Sequence, residues 1–205
     1  NFYDQQGICH VVLPERGHLS PGMFCVGGDS HSPTGGAFGA YMFGIGATEM
    51  AGVLATGEIW IKVPETILIK WAGQICAFVT AKDMMLATCA KIGMGGGRYQ
   101  AIQYAGEAIN KLNMQERMTM SNMAAELGAQ AGLISPDETT IEYLKSVNAS
   151  IPDNWKNFQI EKPDPKGEVI NLDASSLSPQ IAAPHSPENS SDVDDFKNIS
   201  FDIAY

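Results

Sequence analysis

The chain has 205 residues, of which 44% are hydrophobic and 18% charged, and its formal net charge is −10 at pH 7. These values predict a globular protein with one large domain or two small ones, and the negative charge argues against nucleic acid and anionic membranes as partners. Because no apolar run approaches the ~20 residues that cross a bilayer, we predict a cytoplasmic protein.

In the first segment, residues 1–62, His10 lies just ahead of a short apolar run. Residues 11–13 are predicted to form a strand that Pro14 ends, because proline cannot donate to a strand ladder. His18 lies beside a glycine and is predicted to be an exposed loop residue.

A glycine-dense stretch at residues 27–39 follows the predicted strand at residues 22–26 and precedes a helix that ends near residue 55. It places Asp29, Ser30 and His31 in a row at the carboxyl end of a strand, where α/β sheets bind ligands. Three interpretations are open: a structural turn, a serine hydrolase with Ser30 as nucleophile, and a site for a small polyanion. The hydrolase needs a partner histidine, and His185, the nearest downstream candidate, is flanked by prolines with no acid just before it.

The second segment, residues 63–150, carries alternating strand and helix signals. A β-rich run at residues 66–69 is followed by a capping box, Thr80 to Asp83, which predicts a helix start. Residues 93–97 are predicted to be a turn, since no P-loop lysine follows them. A strand at residues 99–104 and a short helix at residues 106–112 come next.

A helix predicted at residues 114–131 contains Asn122 and Glu126, four residues apart and therefore on one face. Alone, such a pair is more often a solvated surface pair. The next helix is predicted to begin with Ser135 as its N-cap and to run to about residue 147.

From residue 148 onwards prolines accumulate, and strands are predicted at residues 169–172 and 199–205. Acidic residues 192–195 are predicted to be a solvated loop or a helix start. The cysteines show no Cys-x-x-Cys pairing, and we predict small buried hydrophobic residues rather than metal ligands or disulfides. No metal site is predicted in this chain.

A set of collinear motifs resembles the aconitase superfamily, and within it most resembles the large subunit of 3-isopropylmalate dehydratase. The motifs are Gly7-Ile8-Cys9-His10, Gly28-Asp29-Ser30-His31, Gly36-Ala37-Phe38-Gly39-Ala40, Phe43-Gly44-Ile45-Gly46, Arg117-Met118-Thr119 and Ser121-Asn122-Met123-Ala124-Ala125-Glu126. They follow the family's order over the first two thirds of the chain.

The resemblance implies a hydro-lyase that moves a hydroxyl between adjacent carbons of a 2-hydroxy di- or tricarboxylic acid. By resemblance, His31 supported by Glu126 and His10 supported by Asp29 are the acids that protonate the departing hydroxyl. A carboxylate beside each imidazole favours its charged form, which suits a proton donor. By the same resemblance, Ser30 binds a substrate carboxylate.

The resemblance also implies a 4Fe–4S cluster in the full enzyme, with Asn122 in contact with it. The cluster cysteines, the substrate-binding arginines and the serine base of the family are absent from this chain, so we expect the chain alone to bind no cluster and to be inactive. The expected partners are a small polycarboxylate substrate, the remainder of the large subunit, and a separate small subunit or swivelling domain.

We therefore predict an α/β fold with mixed sheets flanked by helices, as part of the multi-domain aconitase-type fold. Residues 1–62 are expected to be the C-terminal part of a first domain, residues 63–150 a second α/β domain, and residues 151–205 a linker and the start of a third. We expect an internal piece of a longer enzyme. Isopropylmalate, homoaconitate, a dialkylmalate and citrate stay open as substrates, because Gly35 stands where isopropylmalate enzymes commonly carry histidine. The alternative from another class is a non-catalytic assembly or regulatory module.

Overall fold

The structure is a computed structural model that describes residues 2–160 and 167–203. In those residues the α-helices are α1 (Cys9–Glu15), α2 (Ala47–Thr56), α3 (Ala81–Ile92), α4 (Glu107–Lys111), α5 (Met114–Asn122) and α6 (Glu138–Ser146). The strands are β1 (Phe24–Gly27), β2 (Tyr41–Gly44), β3 (Thr66–Ala72), β4 (Ala101–Ala105), β5 (Ala131–Ile134), β6 (Glu168–Asp173), β7 (Gln180–Ala182) and β8 (Ser190–Asp192). Strands and helices alternate along most of the chain, which confirms the predicted α/β class.

The largest sheet has four parallel strands in the order β5–β4–β3–β6. Parallel strands that are covered by other elements form near-continuous apolar runs, and Ile67, Leu68 and Ile69 of β3 are all buried. The main apolar core joins this sheet to α3, α4 and α5, with Met84 of α3 and Ile109 of α4 among its fully buried residues. Antiparallel pairing among the described strands occurs between β7 and β8.

A second, two-stranded parallel sheet of β1 and β2 holds the glycine-dense stretch between its strands. Within that stretch Ser32–Phe38 forms a 3₁₀ turn whose residues are all buried, and it packs against α5 and β5. At Gly36 the approach is so close that a Cβ atom would lie 1.8 Å from the carbonyl oxygen of Gly132 in β5. These contacts attach the loop that follows β1 to the larger sheet.

The strand predicted at residues 11–13 is wrong, because these residues lie in α1. Three apolar residues followed by proline are too few to show a period. In the structure the helix buries Val12 and Pro14 together, and the proline sits in its last turn.

The predicted helix at residues 114–131 is too long, because α5 ends at Asn122. Beyond it the amides bond to carbonyls three residues back, for example Leu127 N to Ala124 O at 3.2 Å. Gly128 then adopts a left-handed φ of 68°, and Ala129 N bonds Ala124 O at 3.1 Å, which closes the turn. The inference that Asn122 and Glu126 share an α-helical face is therefore wrong, although the turn keeps both near the loop after β1.

Two further predictions are corrected by the structure. The N-cap of α6 is Asp137 rather than Ser135, because the Asp137 carboxylate accepts from Thr140 N at 3.2 Å and is also held by Arg117. Residues 199–203 form no strand, and residues 204 and 205 of that predicted strand lie outside the described residues.

The division into three domains stays a prediction. Two contacts bear on how its segments associate: β6, from the third range, pairs with β3 of the second, and Phe38 of the first shares an apolar core with Leu144 of the second. No helix in the described parts of the chain combines the length and apolar character needed to cross a membrane.

Candidate active site

The loop that follows β1 carries Asp29, Ser30 and His31 at the carboxyl end of the strand, where the sequence predicts them. The Ser32 hydroxyl donates to the carbonyl oxygen of Asp29 at 2.7 Å. On the neighbouring strand, a Cβ atom at Gly44 would lie 2.5 Å from that same carbonyl oxygen. The loop backbone is therefore held from both sides.

His10 reaches this loop from the first turn of α1. Its Nε2 atom lies 2.8 Å from Asp29 Oδ1, and the same carboxylate oxygen accepts from the backbone N–H of His31 at 2.8 Å. The backbone N–H of His31, and after it the His10 side chain, hold the pKa of Asp29 below its usual range. Asp29 therefore stays a carboxylate at neutral pH and orients the His10 ring.

His31 is held by the end of α5. Its Nδ1 atom lies 3.1 Å from Asn122 Oδ1 and 3.3 Å from the backbone oxygen of Asn122. The other ring nitrogen, Nε2, lies 3.9 Å from Glu126 Oε1, a distance that allows electrostatic interaction but exceeds a hydrogen bond. The two ring nitrogens of His31 therefore lie near different residues, Nδ1 near Asn122 and Nε2 near Glu126.

The two imidazoles lie close together, with ring centroids 6.4 Å apart and ring planes at 69° to each other. The side chain of His10 is 15% exposed and that of His31 34% exposed, so a small ligand can reach both. The structure therefore brings together His10, Asp29, His31, Asn122 and Glu126, which the polymer separates by up to 116 positions.

Ser30 is exposed and lines a cavity of about 380 Å³ together with Asp29, Ile45, Tyr99 and Gln130. Among the described contacts its side chain makes no hydrogen bond to either histidine. A nucleophilic serine needs a base within hydrogen-bond reach, so the geometry does not support the hydrolase interpretation. A free hydroxyl beside a cavity is instead suited to bind a ligand oxygen.

The described residues contain no group of three His, Cys, Asp or Glu side chains that could hold a metal ion. Asn122 can offer an iron–sulfur cluster only a hydrogen bond. One of its two amide N–H groups donates to Thr34 Oγ1 at 2.8 Å, and the second N–H is left to donate to another group.

All four cysteines are free, but burial was predicted for more of them than the structure shows. Cys89 is buried and Cys25 partly buried, whereas Cys9 and Cys76 are exposed. Cys9 lies beside the site, with Sγ 3.6 Å from His10 Nδ1. Cys9 is the first residue of α1, and the strand predicted for the following residues could not reveal its exposure.

Thr34 is a residue of the site that sequence reasoning missed. It is only 5% exposed, and its hydroxyl lies between the His31 carbonyl and the Asn122 amide. A Ser or Thr three residues after a loop carbonyl often bonds back to it, but its second partner, 88 positions away, has no local signal.

Comparison with known proteins places the chain among sequence relatives. The family model described as "Aconitase family (aconitate hydratase)" matches residues 1–204. The chain is 40% identical over 206 residues to a probable 3-isopropylmalate dehydratase large subunit of Methanothermobacter thermautotrophicus, covering 100% of the chain and 48% of the relative. It is 43% identical over 209 residues to the 3-isopropylmalate dehydratase large subunit 1 of Methanopyrus kandleri, covering 100% of the chain and 49% of the relative.

A third relative, the probable methanogen homoaconitase large subunit of Methanosarcina mazei, is 41% identical over 209 residues, with 100% of the chain and 52% of the relative covered. The chain thus spans about half the length of the curated relatives that it matches.

Proposed function

The chain belongs to the aconitase family, and on that premise we propose that it supplies the proton-moving wall of a hydro-lyase active site. The proposed reaction removes or adds water across adjacent carbons of a 2-hydroxy di- or tricarboxylic acid such as isopropylmalate. Support comes from one observation above all: His10 and His31, each close to a carboxylate, lie with their ring centroids 6.4 Å apart.

Dehydration of a hydroxy acid needs a proton for the departing hydroxyl, because hydroxide is a poor leaving group. In the proposal His10 and His31 supply hydrogen bonds and a proton at that oxygen. Asp29 is ionised at neutral pH and bonds His10 directly, whereas Glu126 acts on His31 through charge at 3.9 Å.

Ser30 is proposed to bind a carboxylate of the substrate. Ser30 is exposed, lies between Asp29 and His31 in the loop, and borders the cavity of about 380 Å³, which Asp29 also lines. A hydroxyl that donates to one carboxylate oxygen would fix the acid next to the imidazoles.

Family membership implies a 4Fe–4S cluster in the full enzyme, and when bound such a cluster would supply a Lewis acid for the substrate hydroxyl. The described residues do not fit as its holder, since they contain no ligand group. We propose that this chain contributes the remaining Asn122 N–H toward the cluster, and that its ligands come from other parts of the enzyme.

The proposed partners are the remainder of the large subunit and a small subunit, since the relatives are named as large subunits. That the chain alone is inactive, and that the enzyme works in the cytoplasm, are predictions of the same proposal. A non-catalytic module would have no use for the contacts that join His10, His31 and Glu126.

The test uses the full-length enzyme that contains this chain, assembled with its small subunit and with its cluster reconstituted anaerobically. Ultraviolet absorbance follows formation of the conjugated unsaturated acid from isopropylmalate, a dialkylmalate and citrate, and its consumption when homoaconitate is hydrated. His31→Asn is expected to lower kcat/KM by about 10²–10⁴-fold.

His18→Asn is the matched control, because His18 bonds the Tyr3 hydroxyl outside the site and is expected to leave kcat/KM unchanged. Full activity in the His31→Asn enzyme, or no turnover of any of the four acids by the wild type, would contradict the proposed function.

A further inference from the structure

A closed ring of hydrogen bonds joins the 3₁₀ turn to the end of α5. The Thr34 hydroxyl donates to the carbonyl oxygen of His31 at 2.7 Å. Asn122 Nδ2 donates to Thr34 Oγ1 at 2.8 Å, and Asn122 Oδ1 lies 3.1 Å from His31 Nδ1. Thr34 is buried, so water does not compete strongly for these bonds.

The ring fixes which way the Asn122 amide points. A hydroxyl has one proton, and that of Thr34 is given to the His31 carbonyl, so Thr34 Oγ1 can only accept from Asn122. The amide must therefore present its NH₂ group to Thr34 and its oxygen to His31.

Two acceptors then meet His31 Nδ1. One is Asn122 Oδ1 and the other is the backbone oxygen of Asn122, 3.3 Å away. Neither oxygen has a proton to give while the amide keeps this orientation, so the ring nitrogen between them must carry one. In the neutral imidazole the lone pair is consequently on Nε2, the nitrogen on the side of Glu126.

We propose that Thr34 is a positioning residue that acts through Asn122 to hold His31 as the Nδ1–H tautomer, which reserves Nε2 for proton exchange. The tautomer follows from the contacts alone, whereas its use in catalysis rests on the proposed function. In that use a base from another part of the enzyme takes the proton of the adjacent carbon, and the C–H electron pair forms the C=C bond. The C–O bond breaks, its electron pair leaves with the oxygen, and the oxygen takes the Nε2 proton of the protonated His31 ring to form water. His31 returns to the neutral Nδ1–H form with no change at Nδ1.

The tautomer can be read directly by nuclear magnetic resonance of the chain labelled with ¹⁵N in its histidine rings. Long-range ¹H–¹⁵N correlation spectra above about pH 8, where a histidine of ordinary pKa is neutral, distinguish the two tautomers. The chain has four histidines, and the signals of His31 are those lost in His31→Asn. The wild type is expected to show His31 in a single form with the proton on Nδ1.

Thr34→Val removes the acceptor that orients the amide, so His31 is expected to shift from that single form to a mixture of tautomers. Thr34→Ser keeps the hydroxyl and is expected to restore the wild-type spectrum. Thr88→Val is the matched control: it removes another buried hydroxyl, which donates to Met84 O at 2.8 Å within α3, and should leave the His31 signals unchanged.

A wild-type His31 protonated on Nε2, or a folded Thr34→Val chain that keeps the single Nδ1–H form, would overturn the proposal. If Thr34→Val does not fold by circular dichroism, the wild-type spectrum still decides the tautomer and Thr34→Ser still tests the hydroxyl. These spectra need no cluster, subunit or substrate. An Nδ1–H tautomer in an enzyme that dehydrates no hydroxy acid would contradict the proposed function and leave this inference standing.

Discussion

Arg117→Met should strongly destabilise the protein, because it removes a guanidinium from the interior. The Arg117 side chain is 1% exposed and binds both oxygens of Asp137 at 2.6 and 2.7 Å. It also donates to the backbone oxygens of Leu112 at 3.1 Å and Asn110 at 3.2 Å. Met fills similar volume but removes the guanidinium that donates to one carboxylate and two carbonyl groups, which costs about 3–5 kcal/mol.

Arg98→Met is the matched control, since it also breaks an arginine–carboxylate pair, here with Glu168, but one whose side chains are 58% and 51% exposed. An exposed pair contributes only about 0–1 kcal/mol. Urea unfolding of the wild type and both variants, with the slope checked for constancy, gives the two differences in the free energy of unfolding. Equal losses in the two variants would refute the argument from burial.

The Arg117–Asp137 pair also makes the free energy of unfolding depend on pH, in a direction set by the pKa of Asp137. Burial raises the pKa of Asp137, but the hydrogen bonds and charge of Arg117, with the Thr140 and Thr139 amides, outweigh it and the pKa is lowered. The folded pKa thus lies below the unfolded value of about 3.9, so the pair stabilises the fold above that value. This stabilisation is lost as pH falls through the folded pKa. In the Arg117→Met variant, most of this loss of stability at low pH should be absent.

Two further predictions concern packing and thiol access. Gly36→Ala should lower the free energy of unfolding by about 1–3 kcal/mol or more, because its Cβ would overlap the oxygen of Gly132. Gly52→Ala in α2 has open space around it and should raise the free energy of unfolding by about 0.5–1 kcal/mol. Equal effects of the two substitutions in urea unfolding would contradict the packing argument. In the native chain a maleimide should label the exposed Cys76 quickly and Cys89 hardly at all, because burial, with the charge of Glu126, raises the pKa of Cys89 to about 11. Mass spectrometry of the labelled peptides decides this, and equally fast labelling of both would show that the core opens.

Elements with strong local signals could be predicted from the sequence. The capping box at Thr80 is present, with Thr80 N donating to Asp83 Oδ2 at 2.7 Å, and α3 begins where it predicts. The loop of Asp29 also lies at the end of β1 as expected, because a polar group after a short apolar run between glycines marks a strand end. These features depend on residues within a few positions of one another.

Other elements depend on contacts that local patterns do not encode. The end of α5 at Asn122 was missed because residues 123–128 keep helical composition, and only packing of the turn and the left-handed Gly128 end it. The strands β2 and β5 were also missed, since each has four residues with no clear alternation.

For the site, spacing alone left Asn122 and Glu126 as a surface pair, and the family resemblance supplied their expected roles. Their placement beside His31 is visible only in three dimensions. The Thr34 contact needed the structure altogether, because its partners are separated by 88 positions.

The most direct test of the account is the kinetics of His10→Asn, His31→Asn and the double variant in the full-length enzyme. If the two rings, 6.4 Å apart, protonate one departing hydroxyl, each single variant loses most of kcat/KM and the double variant loses little more than the worse single one. Losses that multiply as for independent sites, or single variants with wild-type kcat/KM, would contradict it.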